Sequence, residues 1–207
     1  MRFLTGILLL GVVSSLGSIT YAQTAPDPKA RMEAAAGQLF SITAEDSASE
    51  SVDRAFVESE TQRILSDIVD YDSITRGVYG KSHRDKLSDD QKQRFKKEFE
   101  ISVVQLVSKA LMGIGPTETI VHNASSLTET RAQIPVVLTT TNRETYEFQF
   151  SLGLSEGDWR VRNIVVNGVN LGLTYRNQFS ELMKTHNEEI DAVILAWSQT
   201  VVDQAPN

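Results

Sequence analysis

The chain contains no cysteine. That excludes a disulfide scaffold and leaves no thiol to carry a bacterial lipoprotein's acyl anchor. Histidine is scarce as well: His83, His122 and His186 stand far apart, without the paired spacing of metal ligands, and read as solvent-facing or helix-end residues. Positive charge is short, the net charge being −7. This argues against nucleic acid as a partner and against general electrostatic adhesion to an anionic membrane. Catalytic groupings are missing too. No G-x-S-x-G elbow occurs, and Gly113-Ile114-Gly115 follows a helical pattern and lacks the third glycine of a dinucleotide site. The adjacent acids Glu188-Glu189 suit a helix start better than a pair of general acids.

Long hydrophobic runs are confined to the N-terminus. Met1-Arg2 is followed by an uncharged apolar stretch from Phe3 to Ile19, and Thr20-Tyr21-Ala22 offers small residues where a signal peptidase reads. Residues 1–22 are therefore expected to be a cleaved signal peptide, an uncleaved anchor being the alternative. Cleavage would remove Arg2, the segment's only charge, and shift −7 to −8. No second stretch reaches spanning length, so the mature protein is expected to be soluble. Residues 23–207 suffice for one domain with one core.

Helical periodicity dominates the first half. Ala30 to Phe40 can form a short helix; Val52, Phe56, Ile64, Leu65 and Ile68 share a face; and Tyr71 opens a further helix expected to end at Gly80. Ser88-Asp89-Asp90-Gln91 has the form of a capping box with acids in the first turn. The long helix that follows carries the stripe Phe95, Phe99, Val103, Leu106, Ala110 and stops at Gly113-Ile114-Gly115-Pro116. Beyond Pro116 the period becomes two. Ile134, Val136 and Leu138 alternate with other residues, as do Tyr146, Phe148, Phe150 and Leu152, and Trp159 to Val166 completes a meander. Two closing helices carry Leu171, Tyr175, Phe179, Leu182 and then Ile190, Val193, Trp197, Val201. The expected fold is α+β, with helices on one side of a curved antiparallel sheet.

The sheet carries an apolar surplus: Phe148, Phe150, Leu152, Ile164, Val165, Val166 and Val169 join Ile134, Val136, Leu138 and the stripe of the long helix. An ordinary filled core accounts for these residues. So does an apolar cavity left where sheet and helices diverge. Pattern alone does not choose between them.

Two blocks resemble the MlaC, or toluene-tolerance, family. WRVRNIVVNGVNLGLTYRNQFSEL, Trp159 to Leu182, has that family's tryptophan-led strand, glycine corner and Tyr-Arg helix; DYDSITRGVYG, Asp70 to Gly80, with LSDDQKQRF, Leu87 to Phe95, looks like its first-helix end and second, capped helix. The resemblance spans most of residues 30–203. It implies a single lipid-binding domain over 23–207 with an apolar cavity between sheet and helices. The implied protein is a soluble periplasmic phospholipid carrier with no cofactor. It would shuttle lipid between an outer-membrane lipoprotein complex and an inner-membrane ABC transporter with its periplasmic lipid-binding subunit, maintaining outer-membrane asymmetry. The lining residues it implies are Val103, Leu106, Ile134, Val136, Leu138, Phe148, Phe150, Leu152, Val165, Val169 and Leu171. The alternative is an enzyme acting on a lipid or small apolar substrate in an α+β cone fold, which needs an ionisable group inside the cavity. A ligand-free adaptor binding protein through the sheet edge is the third reading.

Overall fold

Two consecutive helices begin on the same device: the Asp53 carboxylate accepts from the Ala55 N–H, and the Asp70 carboxylate from the Ser73 N–H. Each satisfies a donor that a helix start leaves free. The computed structural model describes residues 27–46, 53–114 and 116–200. The expected signal peptide and Val201 lie outside that range. Four helices come first: α1 (Pro28–Asp46), α2 (Arg54–Ile68), α3 (Tyr71–Arg84) and α4 (Asp89–Ile114). The strands are β1 (Pro116–Val121), β2 (Ser126–Leu127), β3 (Arg131–Thr140), β4 (Thr145–Ser155), β5 (Asp158–Val166) and β6 (Val169–Asn170). Helices α5 (Leu171–Thr185) and α6 (Ile190–Thr200) close the chain.

The capping box at α4 forms as its spelling requires. Ser88 N–H donates to Gln91 Oε1 at 3.0 Å, and Gln91 N–H donates to Ser88 Oγ at 3.2 Å. Helix α3 departs from expectation. It continues to Arg84 across a break at Gly80, whose φ of 61° only glycine adopts without strain. A side chain there would also meet the Arg176 guanidinium of α5.

The sheet is open, in the order β1-β3-β4-β5-β6 with β2 also on β3, and every strand pair is antiparallel. Helix α1 lies over β1 and β3, while α2, α3 and α5 approach β5. One face packs against the helices: Ile134, Val136, Leu152, Trp159 and Val161 belong to the same buried cluster as Phe95, Phe99, Phe179 and Trp197. Phe95 is the hub, with the Phe179 and Trp197 rings each 5.0 Å away in edge-on contact. Such pairs contribute about 0.5–1.5 kcal/mol each beyond their burial. The fold is α+β, as the periodicity indicates.

Candidate functional site

Residues paired across an antiparallel ladder point to the same face, so the register defines rows on the inner side. Ala132, Leu152 and Val161 make the first row, and Ile134, Phe150 and Ile164 the second. Val121, Val136, Phe148, Val166 and Val169 make the third, crossing the whole sheet; Thr119, Leu138 and Tyr146 make the fourth.

Burial falls along these rows. The first is sealed throughout. In the second and third, Ile134, Val136 and Val121 are sealed, Phe148, Phe150, Ile164 and Val166 are half-buried, and Val169 is 55% exposed. Leu138 and Tyr146 of the fourth row are half-buried. On helix α4, Phe95 and Phe99 are buried and Val103, Leu106 and Ala110 of the same stripe are half-buried, while Val104, Ser108 and Leu111 on the neighbouring face are buried along the helix's further half. Phe95, Phe99 and Val104 of α4 share one buried cluster with Ile134, Val136 and Leu152 of the sheet, and Val103 and Val107 are partly buried against it. Sheet and helices thus share an apolar layer, called the wedge below, that is sealed at the first row and partly exposed towards Val169.

Its closed end is fastened at β5. Val69 forms an isolated parallel bridge with Val161, Asp70 N–H donates to the Val161 carbonyl at 2.9 Å, and Arg162 Nε donates to Asp70 Oδ2 at 2.8 Å. Burial alone would raise the Asp70 carboxyl; the Ser73 hydroxyl and N–H, with the Arg162 guanidinium, outweigh it and hold the group below its ordinary value. The open end is shaped by the corner between β5 and α5. Asn167 and Gly168, with φ of 47° and 83°, make the two-residue reversal that Asn-Gly favours. Gly172 then comes close enough for its N–H to donate to Asn163 Oδ1 at 3.1 Å, leaving no room for a Cβ.

The candidate lining residues divide by position. Ile134, Val136 and Leu152 are sealed core at or near the closed end. Val103, Leu106, Leu138, Phe148, Phe150 and Leu171 are half-buried, and Val169 stands exposed at the rim. Val165 is a correction: it pairs with Gln149 and Asn170, out of phase with Phe148 and Phe150, and belongs to the outer face. The reason is a β-bulge. The register shifts between Ser151 and Leu152, so that Arg162 is an extra residue, and strict alternation from Val161 is inverted beyond it. Ile164 and Val166 occupy the inner positions instead.

Sequence reasoning missed β1 and what it forms with α1. A cavity of about 350 Å³ lies between them, lined by Glu33, Ala36, Gly37, Phe40, Glu118, Thr119 and Val121. The alternation of Thr119 and Val121 with Glu118 and Ile120 was the available signal. A smaller cavity of about 190 Å³ lies where the α2–α3 junction meets α4, lined by Ser66, Asp70, Tyr71, Lys96, Glu100 and Arg160 among others. None of the candidate lining residues borders either cavity.

The inner rows offer little ionisable chemistry. Their one titratable group, Tyr146, donates its hydroxyl to Glu144 at 3.3 Å, and that carboxylate raises its pKa. Among the described residues no group of His, Asp and Glu side chains is placed to hold a metal ion, and no helix is long and apolar enough to cross a membrane.

Residues 33–199 match the family model described as MlaC protein. The chain belongs to the MlaC family. It is 32% identical over 139 residues, 67% of its length, to the toluene tolerance protein ttg2D of Pseudomonas putida, and the match spans 65% of that relative. This MlaC chain also shares its fold with a phospholipid-binding protein from Ralstonia solanacearum, solved in complex with a phospholipid. The TM-score is 0.74 at 16% identity, covering 87% of this chain and 99% of the other.

Proposed function

We propose that this MlaC protein is a phospholipid carrier of the periplasm, exported by a cleaved signal peptide. It takes the acyl chains of its cargo into the open end of the wedge and moves lipid between an outer-membrane complex and an inner-membrane ABC transporter. The observation that carries this reading is the burial gradient, in which a continuous apolar strip from Val121 to Val169 is sealed at one end of the rows and left accessible at the other. An apolar face that a small domain leaves unsealed has a use when a ligand completes it. The bound phospholipid of the Ralstonia relative and the family membership support the same reading.

The physical need is large. A two-chain lipid exposes on the order of 30 methylenes, at ~0.8 kcal/mol each, if it crosses water alone. A carrier has to offer apolar surface comparable to the bilayer and leave the head group near water. The scarcity of ionisable groups on the inner rows favours binding over catalysis.

The test is organic extraction of the purified chain followed by lipid mass spectrometry, with uptake from vesicles as the second arm. Co-purifying phospholipid, or its acquisition from vesicles, is the expected result. A chain that arrives empty and stays empty overturns the reading.

A further inference from the structure

We infer that the corner between β6 and α5 docks directly on the surface of a phospholipid bilayer, with Val169 and Leu173 entering the head-group layer while lipid passes to or from the inner rows. This rests on the carrier reading above and adds to it the surface that the open end meets.

Two exposed aliphatic side chains stand together at this corner. Val169 is 55% exposed and Leu173 is 53% exposed. Between them stands Asn170, the α5 N-cap, whose Oδ1 accepts from the Leu173 N–H at 3.1 Å, so both belong to one turn of chain. Val169 ends the inner row that runs from Val121 through Val136, Phe148 and Val166. A lipid leaving along that row crosses Val169 last, and the receiving surface has to come against this corner. Leu173 belongs to none of the rows; its apolar surface is offered outwards.

Charge selects the occupant. The chain has a net charge of −7, yet no Asp or Glu occurs from Trp159 to Ser180, and no charge of either sign from Asn163 to Tyr175. Arg176, exposed about one turn beyond Leu173, has its guanidinium beside Gly80 and no ion-pair partner among the described residues. Glu147, whose N–H donates to Asn167 Oδ1 at 2.8 Å, is in register with Val137 on the outer face. Exposed aliphatic groups backed by an uncompensated guanidinium match a layer of phosphates over hydrocarbon. The acidic remainder of the chain is repelled by the same phosphates, which turns the open end towards them. Two such side chains bury less than one fatty acyl chain, which itself binds membranes only marginally and reversibly. The contact is therefore transient, as exchange between two membranes requires.

The experiment uses the full mature chain and protein-free vesicles of mixed ethanolamine-headed and glycerol-headed phospholipid. Trp159 and Trp197 are buried, so an indole introduced by Leu173→Trp is the exposed one. Its emission is expected to shift to the blue on adding vesicles and to be quenched by lipids brominated on the acyl chain, whereas Leu127→Trp, at an exposed position on β2, should show neither. Leu173→Ser should leave the amount of lipid bound at equilibrium unchanged and slow its exchange with vesicles about three- to tenfold, the scale of transferring half a leucine side chain from water. A thermal melt verifies that the variants fold. Wild-type exchange in Leu173→Ser, with no shift in Leu173→Trp, overturns the docking and leaves the carrier reading standing. A shift that needs no vesicles and grows with protein concentration gives the corner to a second copy and overturns it too. Equal quenching in Leu127→Trp is ordinary adsorption and also counts against it. A wild-type chain that neither holds nor takes up phospholipid overturns the carrier reading and this inference with it.

Discussion

Arg162 and Asp70 meet at 2.8 Å, so that the extra residue of the β5 bulge holds the carboxylate that caps α3. One contact thereby joins the sheet's local irregularity to the start of a helix at the closed end of the wedge.

Asp70→Asn removes the charge from this junction and is expected to cost about 1–3 kcal/mol, the scale of a lost cap together with a charge-assisted bond. The folded carboxyl lies below the ordinary value of 3.8. Its contribution is therefore complete above that value and disappears as pH falls through the folded pKa. Thermal melts between pH 2.5 and 7 should show the gap between wild type and variant closing on the acid side. A gap independent of pH would mean that the charge is not what stabilises the junction.

Gly153→Ala should act through the same pair, because a Cβ on Gly153 would fall within the Arg162 guanidinium that lies across it. Displacing that group weakens its bond to Asp70. In a double-mutant cycle Gly153→Ala should cost more in wild type than in the Asp70→Asn background, with a coupling of about 0.5–2 kcal/mol. Strict additivity of the two changes would disprove the linkage.

The wedge has a mutational signature. Ile134→Ala, at a fully buried position, should cost about 2–5 kcal/mol, whereas Val169→Ala at the exposed rim should stay within about 0.5 kcal/mol. Val169→Trp should leave the melt of the empty chain unchanged and lower lipid uptake. Comparable losses of stability at the two positions would remove Val169 from the rim.

Tyr71 gives a test of opposite sign. Its hydroxyl is buried without a hydrogen-bond partner among the described residues, and burial, with Glu100 adding to it, pushes its pKa well above the ordinary tyrosine value. Tyr71→Phe keeps the edge-on contact with Phe99 and removes the unpaired group. It should be neutral or stabilising by up to about 1 kcal/mol. A clear destabilisation in chemical denaturation would reveal a partner for that hydroxyl.

Much of this architecture is legible in the residues. The Ser88-Gln91 box, the Phe95-Phe99 stripe and the alternation from Ile134 to Leu138 depend on local spacing, and local spacing is what periodicity records. The misplacement of Val165 has a different origin. Val161, Asn163 and Val165 alternate correctly for a regular strand, and only the pairing partner on β4 shows that Arg162 is supernumerary. The cavity beside β1 was hidden for a similar reason, since the closeness of Ala36 and Gly37 to Thr119 is set by how α1 crosses the sheet. Glycine often ends a helix, so the pattern predicts a stop at Gly80, but in the structure it bends the helix beside the Arg176 guanidinium.

A lipid carrier of the kind proposed, filled at the unsealed end of the inner rows, would have a stability that depends on the concentration of its cargo. A molecule that completes the layer adds to folding free energy by mass action, about 2.7 kcal/mol when its free concentration is a hundredfold above Kd. The melting temperature therefore becomes an occupancy gauge, and an empty chain opens more often than a filled one. A protease that cleaves opened chains would remove the empty form first, so the lifetime of the protein would follow the supply of what fills it.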